Sequence, residues 1–473
     1  SQHNKELHRS LQNLNAISIL EVLARAARLL ILFTETVCTT PLQLPSGGRV
    51  MPKKSSISFD ATSLTYNMVY MNADGEFIDS ELPAAVRSGN EFFITHDFIP
   101  LPEGSSLIYL PGRLPVAYVD EEFLSVESPD EDIYPLCALL PAGYTRLFLP
   151  AYENSVDAPI LPLFGYAAVA IKDGEFFVAA KRTDDPVKWN PLNYPQDKLE
   201  EGVSYLKEEM PENRLVEHLA HCALEYHCLT ASNIFLNRWE GGIPTSPTCN
   251  AGCLGCISLQ ESECCPSPQE RIAFRPTPEE IAEIAIYHLE KGDEPIISFG
   301  QGCEGEPLLA SNTIKKAIEK IRMTTKKGII NMNTNAFSKD RLLSLREAGL
   351  DSIRISMISN IEETYNLYHN PCGYSLNDVR TAGRAAKSAG LFISLNLLTI
   401  PGLNDTPTEL RAWEELLAEG WVDLVQIRNL NIDPDWLFAK IPLKEKGLGI
   451  LHFIDAISKY TKVGNFSHYE LKK

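Results

Sequence analysis

The sequence lacks any uncharged apolar run of about 18 residues, which is the length that a membrane-spanning helix requires. The best candidate, residues 17–33, is interrupted by Glu21, Arg25 and Arg28, and its apolar residues recur at helical spacing. We therefore expect an amphipathic helix there, and neither a membrane span nor a secretory signal peptide. Without an export signal, we expect a cytoplasmic protein.

Positive charge is also scarce. The 43 Lys and Arg residues are outnumbered by 62 Asp and Glu residues, which gives a formal net charge of -19. Such a surface repels phosphate backbones, so we expect no nucleic-acid partner. The basic run at residues 315–327 is predicted to be the solvated face of a helix.

Cysteine is present but unevenly distributed. The chain has 11 cysteines, most of which lie between positions 222 and 265, and none follows Cys372. A chain of this length without an export signal is not expected to form a disulfide scaffold. Crowded thiols in a reducing compartment instead predict metal binding or catalysis.

Two kinds of patterning divide the chain. Between residues 55 and 200, short apolar runs alternate with turn signals, and Asp74-Gly75 and Asp173-Gly174 each predict a hairpin. From residue 237 a strand–loop–helix pattern gives six strands, five intervening helices and a final helical stretch after Gly449. We predict an α/β fold with a parallel sheet, either a partial (β/α)6 barrel or an open doubly wound sheet, with function at the carboxyl ends of its strands. The predicted divisions are an N-terminal helical segment (1–54), a mostly β accessory or lid domain (55–200), a helical linker (201–236), the barrel (237–440) and a helical extension (441–473).

A C-x3-C-x2-C arrangement of Cys249, Cys253 and Cys256 follows the first strand of the α/β region. Three thiolates this close can each bond one iron of a cubane cluster, which leaves the fourth iron open for an exogenous ligand. The rival interpretation, a single structural zinc, requires a fourth ligand, which Cys264 or Cys265 would supply.

The position of this motif resembles that in the radical SAM (S-adenosylmethionine) superfamily, and the resemblance covers residues 238–431. The second strand runs into Gly305-Glu306-Pro307, which is similar to the Gly-Gly-Glu-type turn of that superfamily. The resemblance implies that Gly305 and an exposed Glu306 carboxylate bind the methionine amino group of the cofactor. A carboxylate is suited to this because it accepts hydrogen bonds from an ammonium group.

Further cofactor contacts are implied on the later strands. Thr334 follows the third strand in a turn similar to the Thr-Asn-Gly turn of the superfamily, and Ser356 lies near the end of the fourth. Residues 400–403 are similar to the stretch that packs along adenine. Arg428, at the end of the sixth strand, is predicted to face a carboxylate-bearing ligand. One departure is Gly255, where relatives commonly have an aromatic residue.

The resemblance implies a [4Fe-4S] cluster and S-adenosylmethionine as cofactors. A reduced cluster would cleave S-adenosylmethionine, and the resulting radical would abstract hydrogen from a small-molecule or peptide substrate. An electron donor such as flavodoxin or ferredoxin is expected as a partner, and the β region is predicted to act as a lid. Two alternatives stay open, namely an activase for a glycyl-radical enzyme and a non-catalytic iron–sulfur redox sensor. Glu306 discriminates, because a sensor needs no methionine-binding carboxylate.

The remaining cysteines allow several interpretations. An auxiliary cluster or a catalytic thiol is possible among Cys264, Cys265, Cys303 and Cys372. The helix predicted from residue 213 to 229 carries histidines and cysteines that suggest a zinc or haem site, but helix packing is the favoured interpretation: His218, His221, Cys222, His227 and Cys228.

Overall fold

The computed structural model describes residues 66–129, 131–161, 163, 165–258 and 267–469. The predicted helix at residues 17–33, the whole 1–54 segment, and Cys264 and Cys265 lie outside these residues. The described residues all belong to one compact unit. None of the helices in this part of the chain is long and apolar enough to cross a membrane.

Short antiparallel strands make up the amino-terminal part of the described chain. The hairpin predicted at Asp173-Gly174 is confirmed, because both residues have positive φ angles (53° and 79°) and join two paired strands in a two-residue turn. The hairpin at Asp74-Gly75 is confirmed as well. The strands are β1 (Asn67–Asn72), β2 (Phe77–Pro83), β3 (Val86–Ser88), β4 (Glu91–Phe93), β5 (Ile99–Pro100), β6 (Ser106–Tyr109), β7 (Arg113–Val119), β8 (Glu122–Ser125), β9 (Ile133–Leu139), β10 (Tyr144–Arg146), β11 (Leu149–Pro150), β12 (Tyr152–Asn154), β13 (Ala167–Lys172), β14 (Glu175–Val178) and β15 (Ala180–Arg182).

Helices begin at Gln196, slightly before the predicted start of the helical segment at 201. The described residues also contain three short 3-10 turns, at Pro186–Trp189, Pro191–Asn193 and Pro307–Ala310. The helices are α1 (Gln196–Glu209), α2 (Arg214–Leu224), α3 (Leu229–Phe235), α4 (Pro278–Lys291), α5 (Ser311–Thr324), α6 (Lys339–Ala348), α7 (Glu362–His369), α8 (Leu376–Ser388), α9 (Pro407–Ala418), α10 (Pro434–Lys440) and α11 (Ile450–Ile457).

The carboxyl-terminal part contains a curled parallel sheet, and the predicted α/β fold with a partial barrel is confirmed. All six predicted strands are present, in chain order. In the described residues a seventh parallel strand extends the sheet, which the sequence did not predict because three residues are too few to show a periodicity. The strands are β16 (Glu240–Gly242), β17 (Ile296–Phe299), β18 (Ile329–Thr334), β19 (Ser352–Met357), β20 (Phe392–Thr399), β21 (Leu424–Asn429) and β22 (Lys462–Gly464).

The two faces of this sheet differ in polarity. Side chains that point outward are apolar and pack against the helices in the largest core, for example Ile353 and Ile355. Side chains on the opposite face, one residue out of step, are polar. Among them Arg354 and Glu240 form a buried ion pair at 3.1 Å, and Ser467 from the chain end also bonds to both. The inner face of the sheet is therefore polar, and we call the buried group of Arg354, Glu240 and Ser467 the cleft floor.

The β region packs on the carboxyl ends of the parallel strands. One buried apolar cluster combines Leu149 and Tyr152 with Ile400 and Leu430, and Cys253 packs against its edge. A buried cluster shared in this way means that removing the β region would expose apolar surface at the mouth of the barrel. Deleting the β region would therefore destabilise the barrel, and a loss of activity would not by itself show that the region acts as a lid.

Ion pairs also fasten the β region to α10. Arg113 contacts Asp433 at 2.9 Å, with both side chains almost fully buried, and Arg87 contacts Asp435 at 2.5 Å. The carboxylate of Asp433 also accepts hydrogen bonds from the backbone of Leu161 and Trp436. These contacts cross from one part of the chain to the other at the edge of the cleft.

Replacing Arg113 with Leu is expected to lower the free energy of unfolding by about 3–5 kcal/mol, because Asp433 is left buried without its partner. Urea unfolding followed by circular dichroism measures this. The control is Lys444→Met, which breaks the exposed pair with Glu363 and should cost less than about 1 kcal/mol. Equal losses for the two variants would contradict the prediction.

Candidate functional site

The loop after β16 carries Cys249, Cys253 and Cys256 as free thiols, the first exposed and the other two half-buried. The carboxyl end of α7 holds this loop through backbone hydrogen bonds. Gly252 N–H donates to His369 O and Leu254 N–H donates to Tyr368 O, both at 3.0 Å. The loop conformation thus depends on a segment more than a hundred residues away in sequence.

The spacing of the three thiols does not suit a single zinc ion. Donors around one tetrahedral zinc lie within about 4 Å of one another, since Zn–S bonds are about 2.3 Å. Among the described residues, the one group of three metal-capable side chains whose ligand atoms all lie within 4.8 Å is found elsewhere. The three loop thiols do not form such a group.

Two polar side chains that the sequence did not indicate contact these sulfurs. His369 Nδ1 lies 3.2 Å from Cys253 Sγ, and burial lowers the pKa of His369 to about 3, so its imidazole is neutral. A thiolate at Cys253 favours the tautomer with hydrogen on Nδ1. Arg271 Nη2 lies 3.6 Å from Cys256 Sγ. Neither residue belongs to the motif, and no spacing in the sequence links either of them to it.

Gly255 has a structural explanation. A Cβ atom at this position would lie 2.6 Å from the hydroxyl oxygen of Tyr368, which is buried against the loop. The ring that fills the space beside the third cysteine is therefore supplied by α7, and the residue before that cysteine has to be small.

Replacing Gly255 with Ala is expected to cost about 1–3 kcal/mol of stability through this overlap. Adding Tyr368→Phe should restore most of the loss, because the hydroxyl is removed and the ring carbon behind it lies 3.6 Å from the new Cβ. Thermal melting of both single variants and the double variant measures the effect. No recovery in the double variant would contradict this explanation.

Two carboxylates follow β17, and they differ in how fully they are hydrogen-bonded. Glu304 accepts five hydrogen bonds from two backbone stretches and a hydroxyl, so it organises the loop: Thr245 N and Oγ1, Ser246 N, Gly300 N and Gln301 N. Glu306 accepts three, from Leu308 N at 2.9 Å, Thr334 Oγ1 at 2.5 Å and Asn335 N at 2.8 Å. Glu306 therefore keeps acceptor capacity for a further donor.

The expectation that the Glu306 carboxylate is exposed is wrong in this structure. The residue is only 4% exposed, and burial raises its pKa to about 7. The adjacent 3-10 turn and the end of β18 enclose it, which a sequence motif alone does not reveal.

Hydrogen bonds join the thiol loop to Gly305, Glu306 and Asn335, and Asn335 directly follows Thr334. Gly305 N–H donates to Ser246 O at 2.7 Å, and Glu306 N–H donates to Thr248 O at 2.9 Å. Asn335 Nδ2 donates to Asn250 Oδ1 at 2.9 Å. A Cβ atom on Gly305 would lie 2.1 Å from Thr248 O, so only glycine permits this approach. The structure thus brings Gly305, Glu306 and Thr334 to the cysteine loop.

The other predicted site residues lie further along the sheet. Ser356 is half-buried and pairs in register with Asn396 of β20. In the described part of the chain no hydrogen bond or ion pair of the Arg428 guanidinium is found, and burial lowers its pKa to about 10. The charged groups that influence this pKa are Arg354, Glu240 and Asp184, so the structure associates Arg428 with the cleft floor and not with Glu306.

The stretch at residues 400–403 packs against the β region. Gly89 N–H donates to Pro401 O at 3.0 Å, and a Cβ atom on Gly402 would lie 2.2 Å from Gly89 N. The resemblance implies that this stretch packs along the adenine of the cofactor. In the structure, the loop that contains Gly89 covers part of it.

The structure thus defines an α/β protein with a curled parallel sheet, in which three free thiols lie near a buried carboxylate after the first strands. Residues 243–412 match the family model described as the radical SAM superfamily. The matched 170 of the 473 residues therefore form a radical SAM domain. The matched residues include the cysteine loop, Glu306, Thr334 and Ser356, whereas Arg428 lies beyond them.

Similar proteins span only part of this chain. GTP 3',8-cyclase from Aquifex aeolicus (strain VF5) is 28% identical over 197 residues, which are 40% of this chain and 58% of the cyclase. Among solved structures, HydG, a maturase of the [FeFe]-hydrogenase, is 18% identical with a TM-score of 0.36, over 58% of this chain and 63% of that one. The anSMEcpe structure with bound AdoMet is 18% identical with a TM-score of 0.32, over 41% and 52% of the two chains.

The cofactors of the superfamily are a [4Fe-4S] cluster and S-adenosylmethionine. The donor set of the site fits them chemically. Thiolates are the usual ligands of iron–sulfur clusters, and hydrogen bonds to their sulfurs, such as that from His369, tune the cluster potential. The incompletely bonded Glu306 carboxylate suits an ammonium group.

Proposed function

We propose that Cys249, Cys253 and Cys256 hold the [4Fe-4S] cluster, and that the enzyme cleaves S-adenosylmethionine reductively to abstract hydrogen from a small-molecule or peptide substrate. The observation that supports this proposal is the set of hydrogen bonds that join the cysteine loop to Glu306 and Asn335, together with the bond from Thr334 to the Glu306 carboxylate. The proposed cluster ligands and the proposed acceptor for the methionine amine therefore belong to connected segments. A redox sensor would need no such acceptor.

When bound, the two cofactors supply the electron and the reactive carbon radical. The protein residues bind and orient the cofactors and the substrate. Thr334 Oγ1 and Asn335 N–H fix the Glu306 carboxylate, and its remaining lone pair accepts from the ammonium group. Gly305 lets the backbone come close to the cysteine loop. The β region excludes water from the mouth of the cleft through the cluster that contains Tyr152 and Leu430.

Ser356 and Arg428 are assigned to the inner wall of the cleft. Arg428 is half-buried, and its guanidinium is available to an acidic group of the cofactor or substrate. Asn396 Oδ1 is a buried acceptor to which no hydrogen bond is found within the described residues, and it suits a donor on the substrate.

The reaction requires an external one-electron donor, for which we propose a flavodoxin or ferredoxin in the cytoplasm. GTP, the compound in the name of the similar cyclase, is the first substrate to test.

The test is anaerobic reconstitution with iron and sulfide, followed by reduction with dithionite in the presence of S-adenosylmethionine. Release of 5'-deoxyadenosine, measured by mass spectrometry, is the expected result. A protein that binds a cluster but releases no 5'-deoxyadenosine would be a redox sensor. A protein that retains only zinc would also overturn the proposal.

A further inference from the structure

A second group of metal-capable side chains lies on α2 and on the loop after β17. The ligand atoms of His218, Cys222 and Cys303 all lie within 4.8 Å of one another. His218 and Cys222 are one helical turn apart, with His218 Nε2 at 3.6 Å from Cys222 Sγ. Cys303 reaches them from the loop that carries Glu306. Packing, which the sequence favoured, does not by itself require two thiols and an imidazole to converge.

Both thiols of this group are free and buried, with Cys222 fully buried and Cys303 only 3% exposed. Two thiols and an imidazole that converge away from solvent are the ligand types that zinc prefers.

A further thiol lies beside this group. Cys228 N–H donates to Cys222 O at 3.0 Å, and Cys228 Sγ lies 3.2 Å from Thr230 Oγ1. Thr230 Oγ1 in turn donates to Gln301 Oε1 at 3.2 Å, two residues before Cys303. Cys228 Sγ is not among the ligand atoms that lie within 4.8 Å of one another, so these contacts connect the start of α3 to the group without adding a ligand.

We propose that His218, Cys222 and Cys303 form a zinc site separate from the Cys249 loop, with a water molecule as the fourth ligand. Binding would form one zinc–nitrogen and two zinc–sulfur bonds, and the two thiol protons would be released to solvent. The ion would join α2 to the loop that carries Glu306. The inference does not rest on the proposed function, because it concerns other cysteines.

The test uses the full chain with Cys249, Cys253 and Cys256 replaced by Ala, so that metal at the cysteine loop does not contribute. With zinc chloride we expect one zinc per chain by elemental analysis. With cobalt chloride we expect the visible bands of tetrahedral cobalt and a sulfur-to-cobalt charge-transfer band. Cys222→Ser should weaken cobalt binding by about 100-fold or more. The control is Cys137→Ser, which changes an equally buried thiol in the β region.

Because Cys222→Ser changes a core position, His218→Gln provides a second variant at a half-buried one. It should keep the melting temperature of the metal-free protein while shifting the cobalt bands and weakening binding. Absence of bound metal, unchanged cobalt spectra in both variants, a Cys222–Cys303 disulfide in the purified chain, or an iron–sulfur chromophore in the triple-alanine chain would each overturn the proposal.

Discussion

Replacing Cys253 with Ala should abolish release of 5'-deoxyadenosine, with a loss of at least about a thousandfold, to the level of the reaction without enzyme. The variant removes one of the three proposed cluster ligands and the sulfur that His369 contacts at 3.2 Å. The reconstituted variant should also lose the iron–sulfur absorbance near 400 nm. Both readouts are measured on the same anaerobic sample.

The matched control is Cys137→Ala. Cys137 is a buried free thiol in the apolar cluster against which Cys253 packs, so its replacement removes the same atoms from the same core. This variant should keep both the absorbance and the activity. Cys372→Ala tests the exposed thiol whose backbone bonds to Asn250. If Cys253→Ala released 5'-deoxyadenosine like the wild type, the assignment of the cluster ligands would be wrong.

Replacing Glu306 with Gln should weaken S-adenosylmethionine binding by about 10- to 100-fold, since a hydrogen bond to a charged group contributes about 1.5–3 kcal/mol. Gln keeps the side-chain length and an oxygen for Thr334 Oγ1, so the cluster absorbance should not change. Isothermal titration with the reconstituted protein measures the affinity. A variant with wild-type affinity would remove Glu306 from the cofactor site.

The affinity should also depend on pH in the wild type. Because the pKa of Glu306 is raised to about 7, the carboxylate is protonated below that pH and loses its attraction for an ammonium group. Binding should therefore weaken about tenfold between pH 8 and pH 6, whereas Glu306→Gln should lose this dependence.

Folding stability provides a second readout of the same carboxylate. Between its ordinary pKa of 4.5 and about 7 the unfolded chain releases the Glu306 proton while the folded chain retains it, so stability falls as pH rises, by roughly 3 kcal/mol in total. Glu409→Gln is the control, because burial also raises the pKa of Glu409 to about 7 and both its oxygens accept from Ser359. Glu409→Gln should remove the part of the pH dependence of folding stability that comes from Glu409. It should leave the affinity for S-adenosylmethionine unchanged.

Local patterns allowed much of the fold to be predicted. The two Asp-Gly hairpins and the six longer strands of the parallel sheet follow from turn residues and from the spacing of apolar residues, which act over a few neighbours. The seventh strand, Lys462–Gly464, is formed by pairing with β21, and nothing within its three residues indicates it.

The candidate site divides in the same way. The cysteine motif and the Gly305-Glu306 turn are short segments, and their contact follows from neighbouring strands in one sheet. His369 and Arg271 lie beside the sulfurs because α7 and the segment after the cysteine loop fold onto that loop. The burial of Glu306 likewise depends on residues from β18.

The sequence by itself determined the class of the domain and the order of its strands, and it gave the spacing from which the three thiols are proposed as cluster ligands, because these are properties of contiguous segments. Only the tertiary structure decided which distant side chains meet. It joined Cys303 to His218 and Cys222, associated Arg428 with the cleft floor, and packed the β region over the barrel mouth. Such contacts depend on how whole helices and strands pack against one another, and the spacing of residues within a short segment does not predict that packing.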